Sequence, residues 1–128
     1  MTCFWDSILS SLNKEDLAIL GVNTMHKNNV AFIQKLKEKN KIVSTLWQGI
    51  QIKEQEKKEH FEAIKNYDVN KIRHGHLTSV CDSFLLLISD LLSVNIEHKY
   101  LNNIIRYQTN VKCRKILKFK SNKGHFSR

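Results

Sequence analysis

The chain has 128 residues, with 21 Lys and Arg against 12 Asp and Glu for a net charge of +9, and three cysteines. That length fits one domain burying roughly two thirds of its unfolded surface, so no disulfide or metal is required to complete a core. Cys3, Cys81 and Cys113 form no Cys-x-x-Cys pair and leave an odd count, which argues against a secreted disulfide framework and for a reducing compartment, by default the cytoplasm.

The first twenty residues read as helical. Phe4, Ile8 and Leu12, with Trp5 and Leu9 beside them, recur at helical spacing. Asn13 followed by Asp16 is an N-cap signature for a short second helix through Leu20, stopped at Gly21. No basic segment followed by an apolar run and a small-residue cleavage site opens the chain, so the first helix is expected to belong to the fold and not to a signal peptide. Val30, Ile33 and Leu36, then Val43, Leu46, Trp47 and Ile50, continue the helical period with a break at Lys39-Asn40, which predicts two helices or one kinked helix. The charged segment from Glu54 to Tyr67, with Phe61, Ala63 and Ile64 as its apolar stripe, reads as a surface helix.

From Asp82 to Ser93 apolar residues fall on nearly every side, which predicts a central helix buried over most of its circumference. Its most apolar stretch, Phe84 to Leu92, is broken by Ser89 and Asp90 and is far shorter than the roughly 20 residues a membrane-spanning helix needs, so no membrane is expected among the partners. The period then changes to two: Val94, Ile96, His98 and Tyr100 alternate with Asn95, Glu97 and Lys99, as a half-buried strand requires. Asn102-Asn103 predicts a hairpin turn returning Ile104 to Tyr107 beside that strand, because asparagine tolerates positive φ. Lys115 to Phe119 predicts a third strand, Ser121 to Gly124 a turn, and His125-Phe126-Ser127 a short final strand segment. With no linker, repeat or low-complexity tract, residues 1–128 read as a single α+β domain, helical in its N-terminal two thirds with a small C-terminal β-sheet.

Charge is unevenly placed. Residues 1–97 hold all 12 acidic residues and 12 basic ones, leaving 9 basic residues between Lys99 and Arg128 with none to offset them. Lys112, Arg114, Lys115, Lys118, Lys120 and Lys123 are candidate contacts for an anionic partner. Tyr107, Phe119 and Phe126 interleave with them, as in single-strand binders. Alternation puts Leu117 and Phe119 on one face and Lys118 and Lys120 on the other, which favours phosphate attraction over base stacking.

The two ends of the chain carry the chemistry. Cys3 opens the helix Cys3-Phe4-Trp5-Asp6-Ser7-Ile8, and a helix N-terminus lowers a thiol's pKa; His125, in Gly124-His125-Phe126, supplies an imidazole able to take its proton. Cys3-Phe4-Trp5-Asp6-Ser7-Ile8 and His125-Phe126-Ser127, with the order of elements between them, resemble the Cys-aromatic/aliphatic-x-[Ser/Ala] helix start and the His-aromatic-[Asn/Asp] strand of the ovarian tumour (OTU) family of cysteine proteases, which are mostly deubiquitinases. His74-Gly75-His76 and Asp82 before the central helix, followed by Asn95-Ile96-Glu97, are similar to a diverged form of that family's Trp-Gly-Gly-x-x-Glu entry to a helix that precedes an alternating strand. The resemblance implies an OTU-like architecture, Cys3 as nucleophile, His125 as general base and acid, and Ser127 as the residue orienting the imidazole. It also implies ubiquitin or a ubiquitin-like protein as partner, and no cofactor. The segments Cys3-Phe4-Trp5-Asp6, Cys81-Asp82-x-Phe84 and Gly124-His125-Phe126 are in addition similar to segments of small proteins of giant DNA viruses, which implies a viral protein of the host cytoplasm or the virion.

Two departures from the family pattern define a competing expectation. Met1 and Thr2 stand where the family has Asp-Gly-Asn, whose backbone helps form an oxyanion hole, and Ser127 stands where it has a carboxamide or carboxylate. Loss of one oxyanion donor costs about 100- to 1,000-fold in turnover. The alternative is therefore a catalytically inactive OTU-like module whose basic C-terminal sheet binds nucleic acid or an acidic protein surface. Cys81, Cys113, His74 and His76 lack the paired spacing of structural zinc ligands, so no metal is expected.

Overall fold

The computed structural model describes residues 3–22, 28–69, 81–121 and 126–127. Helix α1 (Cys3–Ser11) is followed by α2 (Lys14–Leu20), whose capping box is formed in full: Asn13 Oδ1 accepts from the Asp16 amide and Asp16 Oδ2 from the Asn13 amide. Gly21, at φ +73°, closes α2 in the left-handed conformation that glycine adopts without steric cost. Helix α3 (Asn29–Glu38) ends at the expected break, and α4 (Glu54–Lys65) is the charged surface helix. Helix α5 (Cys81–Leu92) buries eight of its twelve residues, which makes it the central helix.

The expectation of a second helix over Val43 to Ile50 is corrected. That segment is a hairpin of two short strands, β1 (Leu46–Trp47) and β2 (Ile50–Gln51). Its loop residues Gln48 and Gly49 both have positive φ, +53° and +79°, the signature of a tight hairpin turn that a helix cannot contain. Tertiary hydrogen bonds override the helical period. The Ser44 amide donates to Asp90 Oδ2 at 2.7 Å, the Thr45 hydroxyl to the Leu86 carbonyl at 2.8 Å, and the Gln48 amide to the Arg106 carbonyl at 2.8 Å.

The remaining strands are β3 (Asn95–Tyr100), β4 (Asn103–Gln108), β5 (Ile116–Ser121) and β6 (Phe126–Ser127). Together the six form one mixed sheet in the order β2-β1-β4-β3-β5-β6, with β3 and β5 parallel and the other neighbours antiparallel. The β3–β4 turn lies one residue earlier than expected, at Leu101 and Asn102, and Leu101 takes the positive φ of +54°. The architecture is α+β, with five helices and this sheet. Among the described residues no helix is long and apolar enough to cross a membrane.

The register divides the sheet into two faces. Ile96, Tyr107, Leu117, Phe119 and Phe126 are buried under the helices, while Lys99, Ile104, Arg106, Ile116, Lys118 and Lys120 are exposed on the other side. Trp5 is the hub of the helical layer, with its ring against Phe4, Phe32, Tyr67 and Phe84 at 4.7–6.3 Å between centroids. Burial on this scale makes truncation of such a ring cost about 3–5 kcal/mol.

Candidate functional site

The chain's two ends meet through aromatic packing. Phe4, the residue after Cys3, lies with its ring centroid 4.8 Å from that of Phe126, the residue after His125. Ser7 of α1 donates its hydroxyl proton to the Phe126 carbonyl at 3.2 Å, which ties the helix to the backbone of the edge strand β6. Phe126 is held in turn by Phe119 at 5.3 Å and by the His98 ring at 5.1 Å. The backbone of Cys3 opens α1. Its side chain, together with His125 and Lys123, lies outside the described residues.

Ser127 is half-buried and pairs with Lys120 across β5–β6, one register step from the Phe126–Ser121 pair. Alternation therefore puts Ser127 on the lysine-bearing face of the sheet, opposite the Phe126 ring.

The basic C-terminal run is divided by the fold. Arg114 and Lys115 turn inward to Asp16, which is wholly buried. Arg114 donates to Asp16 Oδ1 from both terminal nitrogens, at 3.2 and 3.1 Å, and to the Leu92 carbonyl at 2.9 Å, while Lys115 Nζ donates to Asp16 Oδ2 at 2.5 Å. Burial pushes the Asp16 carboxyl up, but Lys115, the Asn13 backbone and Arg114 together outweigh it and hold the pKa below its ordinary value. These two cations therefore join α2 to the entry of β5. Lys112, Lys118 and Lys120 are exposed, and Lys120 lies beside Lys99 in the β3–β5 register.

The thiols of Cys81 and Cys113 are both half-buried. Burial, and after it the charge of Asp82, drive the Cys81 thiol far above its ordinary pKa, so it stays protonated and unreactive. Cys113 donates its S–H to the Lys115 carbonyl at 3.0 Å. Among the described residues no group of three or more His, Cys, Asp or Glu is gathered as a metal would require, and His74 and His76 lie outside them.

Two polar pairs are not expected from sequence, although Asp82 and Tyr107 are each singled out there on other grounds. The Tyr107 hydroxyl donates a very short hydrogen bond to Asp82 Oδ1; burial, reinforced by Asp82, keeps the phenol protonated. The His60 ring Nδ1 and the buried Ser83 hydroxyl are hydrogen-bonded at 2.8 Å. Beside both pairs lies an open groove of about 330 Å³ between the β1–β2 hairpin, α4 and the start of α5. His98 is also buried; its Nε2 meets the Ser121 hydroxyl at 2.6 Å while Nδ1 is buried without a hydrogen-bond partner, and desolvation lowers its pKa despite the opposing charge of Asp82. The inward alternation of His98 is legible in sequence. The Asp82–Tyr107 and His60–Ser83 pairs span 25 and 23 residues and carry no local signal.

The fold defines an α+β protein built on a six-stranded mixed sheet. No family model matches the chain, and no curated protein or solved structure matches it either.

Proposed function

We propose that the chain is an OTU-like cysteine peptidase acting on (iso)peptide bonds of ubiquitin or a ubiquitin-like protein, in the host-cell cytoplasm or virion of a giant DNA virus. The observation that carries the reading is the Phe4–Phe126 contact, because each ring is the immediate chain neighbour of one member of the candidate Cys3–His125 pair. The Cys3 thiolate attacks the acyl carbon and His125, having taken the thiol proton, delivers it to the departing amine; water then hydrolyses the thioester with His125 as base. Ser127 is the hydroxyl that the resemblance assigns to orient the imidazole, although the β5–β6 register puts it on the sheet face opposite the Phe126 ring. The helix N-terminus at Cys3 favours the thiolate, whereas burial keeps Cys81 a thiol.

A ubiquitin derivative ending in a carboxy-terminal propargylamide tests this directly. Wild type is expected to form a thioether adduct mapped by mass spectrometry to Cys3, and Cys3→Ala to form none. An adduct on Cys81 or Cys113, or no adduct with ubiquitin or ubiquitin-like probes, rejects the reading.

A second reading has its own observation. Lys99, Lys118 and Lys120 stand exposed on the open sheet face, with Lys99 and Lys120 in register. In this reading the chain is an inactive module that holds nucleic acid or an acidic protein surface there. Three phosphate contacts predict a log–log salt slope of about −2 on a single strand, lost in the Lys99→Ala/Lys118→Ala/Lys120→Ala variant. A flat salt response counts against it.

A further inference from the structure

The groove beside Asp82 lies at the opposite end of the sheet from the Cys3-bearing helix, since β2 and β6 are five strand positions apart, roughly 24 Å. Its walls are apolar: Trp47, Ile50 and Ile52 line it, and Trp47 is braced edge-on by the buried Tyr107 ring at 5.2 Å. Its charges are chiefly carboxylates, Asp82 and Glu56, with Lys53 as the cation of the lining. Among the described residues Asp82 has the neutral Tyr107 hydroxyl as its hydrogen-bond partner and no ion-pair partner. Carboxylates facing a groove are unexpected on a chain of net charge +9.

Size and charge together restrict the occupant. Small-molecule pockets run from about 300 to 1,000 Å³, so a groove of about 330 Å³ is at the lower limit and suits one long side chain better than a metabolite. An aliphatic stem ending in a cation matches the lining from wall to floor: the stem packs on Ile50 and Ile52, the head meets Asp82 and Glu56, and the Trp47 face adds a cation–π contact. Beside the groove runs β2, the outer strand of the sheet, with Ile50 and Gln51 exposed, and a short extended peptide can pair along such an edge.

We infer that this groove docks a basic peptide segment, with one lysine side chain seated against Asp82 and Trp47. The site is independent of the Cys3 reading and stands or falls separately from it. His60, fixed through Nδ1 by Ser83, closes the α4 side of the groove and limits the length of the side chain it admits.

The test is titration of the full chain with the peptide Ac-Ala-Val-Lys-Val-Ala-amide, followed by the indole N–H resonance of Trp47. Peptides with Glu or norleucine in place of Lys serve as comparisons. The lysine peptide is expected to shift Trp47 and to bind at least about tenfold more tightly than either comparison, because a charge-assisted contact supplies that difference. Asp82→Asn, which keeps the shape and the Tyr107 hydrogen bond, is expected to weaken binding about tenfold; Glu56→Gln, at an exposed helix position that leaves the fold intact, about threefold. Equal binding of the three peptides overturns the proposal, as do shifts confined to Lys118 and Lys120, or no shift at about 10 mM peptide. If Asp82→Asn does not fold, wild-type affinity in Glu56→Gln overturns it on its own.

Discussion

Arg114 stands four residues before Lys118 of strand β5 and Lys115 five before Lys120, and the two pairs do opposite things. The first pair is drawn onto a wholly buried carboxylate and fastens the β5 entry to α2; the second stands in solvent on the open sheet face. Residues that look alike in sequence are thus divided between holding the fold together and presenting charge. The dividing factor is Asp16, fixed by its capping box on a helix almost a hundred positions away.

Removing that factor has the largest expected effect. Asp16→Ala removes the acceptor of two charge-assisted hydrogen-bond partners and unmakes the α2 capping box, and should cost about 2–3 kcal/mol in urea unfolding, since the two cations left behind still reach solvent. A loss near 0.5 kcal/mol would place Asp16 with the surface charges. Next is Tyr107→Phe, which strips the hydroxyl from Asp82 and should destabilise by about 1–3 kcal/mol with the ring packing on Trp47 retained.

The buried titratable groups extend the comparison to pH. His98 has a folded pKa below its ordinary 6.5, so the native state binds fewer protons than the unfolded state and stability is complete above about pH 6.5. It should fall as pH drops from 6.5 toward the lowered folded value, and His98→Gln should flatten that slope in chemical denaturation between pH 7.5 and 5. Asp16 acts lower: its contribution is present above its ordinary value of 3.8 and is lost as pH falls from there through its depressed folded pKa. The smallest effect belongs to the open lysines. Lys118→Ala/Lys120→Ala should change stability by no more than about 0.5 kcal/mol, and a larger change would erase the distinction between the two pairs.

What sequence made legible follows from how local each signal is. The capping box of α2, the buried circumference of α5 and the alternation of β3 lie within a few residues, and each appears where its pattern sits. The hairpin at Leu46 to Gln51 was hidden because Val43, Leu46, Trp47 and Ile50 fit a helical period. What selects strands there is pairing with β4 and the positive φ of Gln48 and Gly49, and Gln48 does not announce such a turn. At the candidate site, Cys3 and His125 stood out by residue type and flanking rings, and the flanking rings do meet. The inward roles of Arg114 and Lys115, and the Asp82 groove, rest on contacts across 22 to 99 residues, a range at which a single sequence has no periodicity to reveal them.

The central claim is that packing of the chain's two ends creates a reactive thiol, and the most direct measurement is the pH dependence of alkylation at each cysteine. Under iodoacetamide, resolved by mass spectrometry, Cys3 should react with an apparent pKa well below the ordinary thiol value of about 8.5, and His125→Ala should return it toward that value. Cys81, held protonated by burial, should stay unlabelled throughout and serve as the internal reference. A Cys3 titration at about 8.5 that is the same in wild type and His125→Ala would contradict the account.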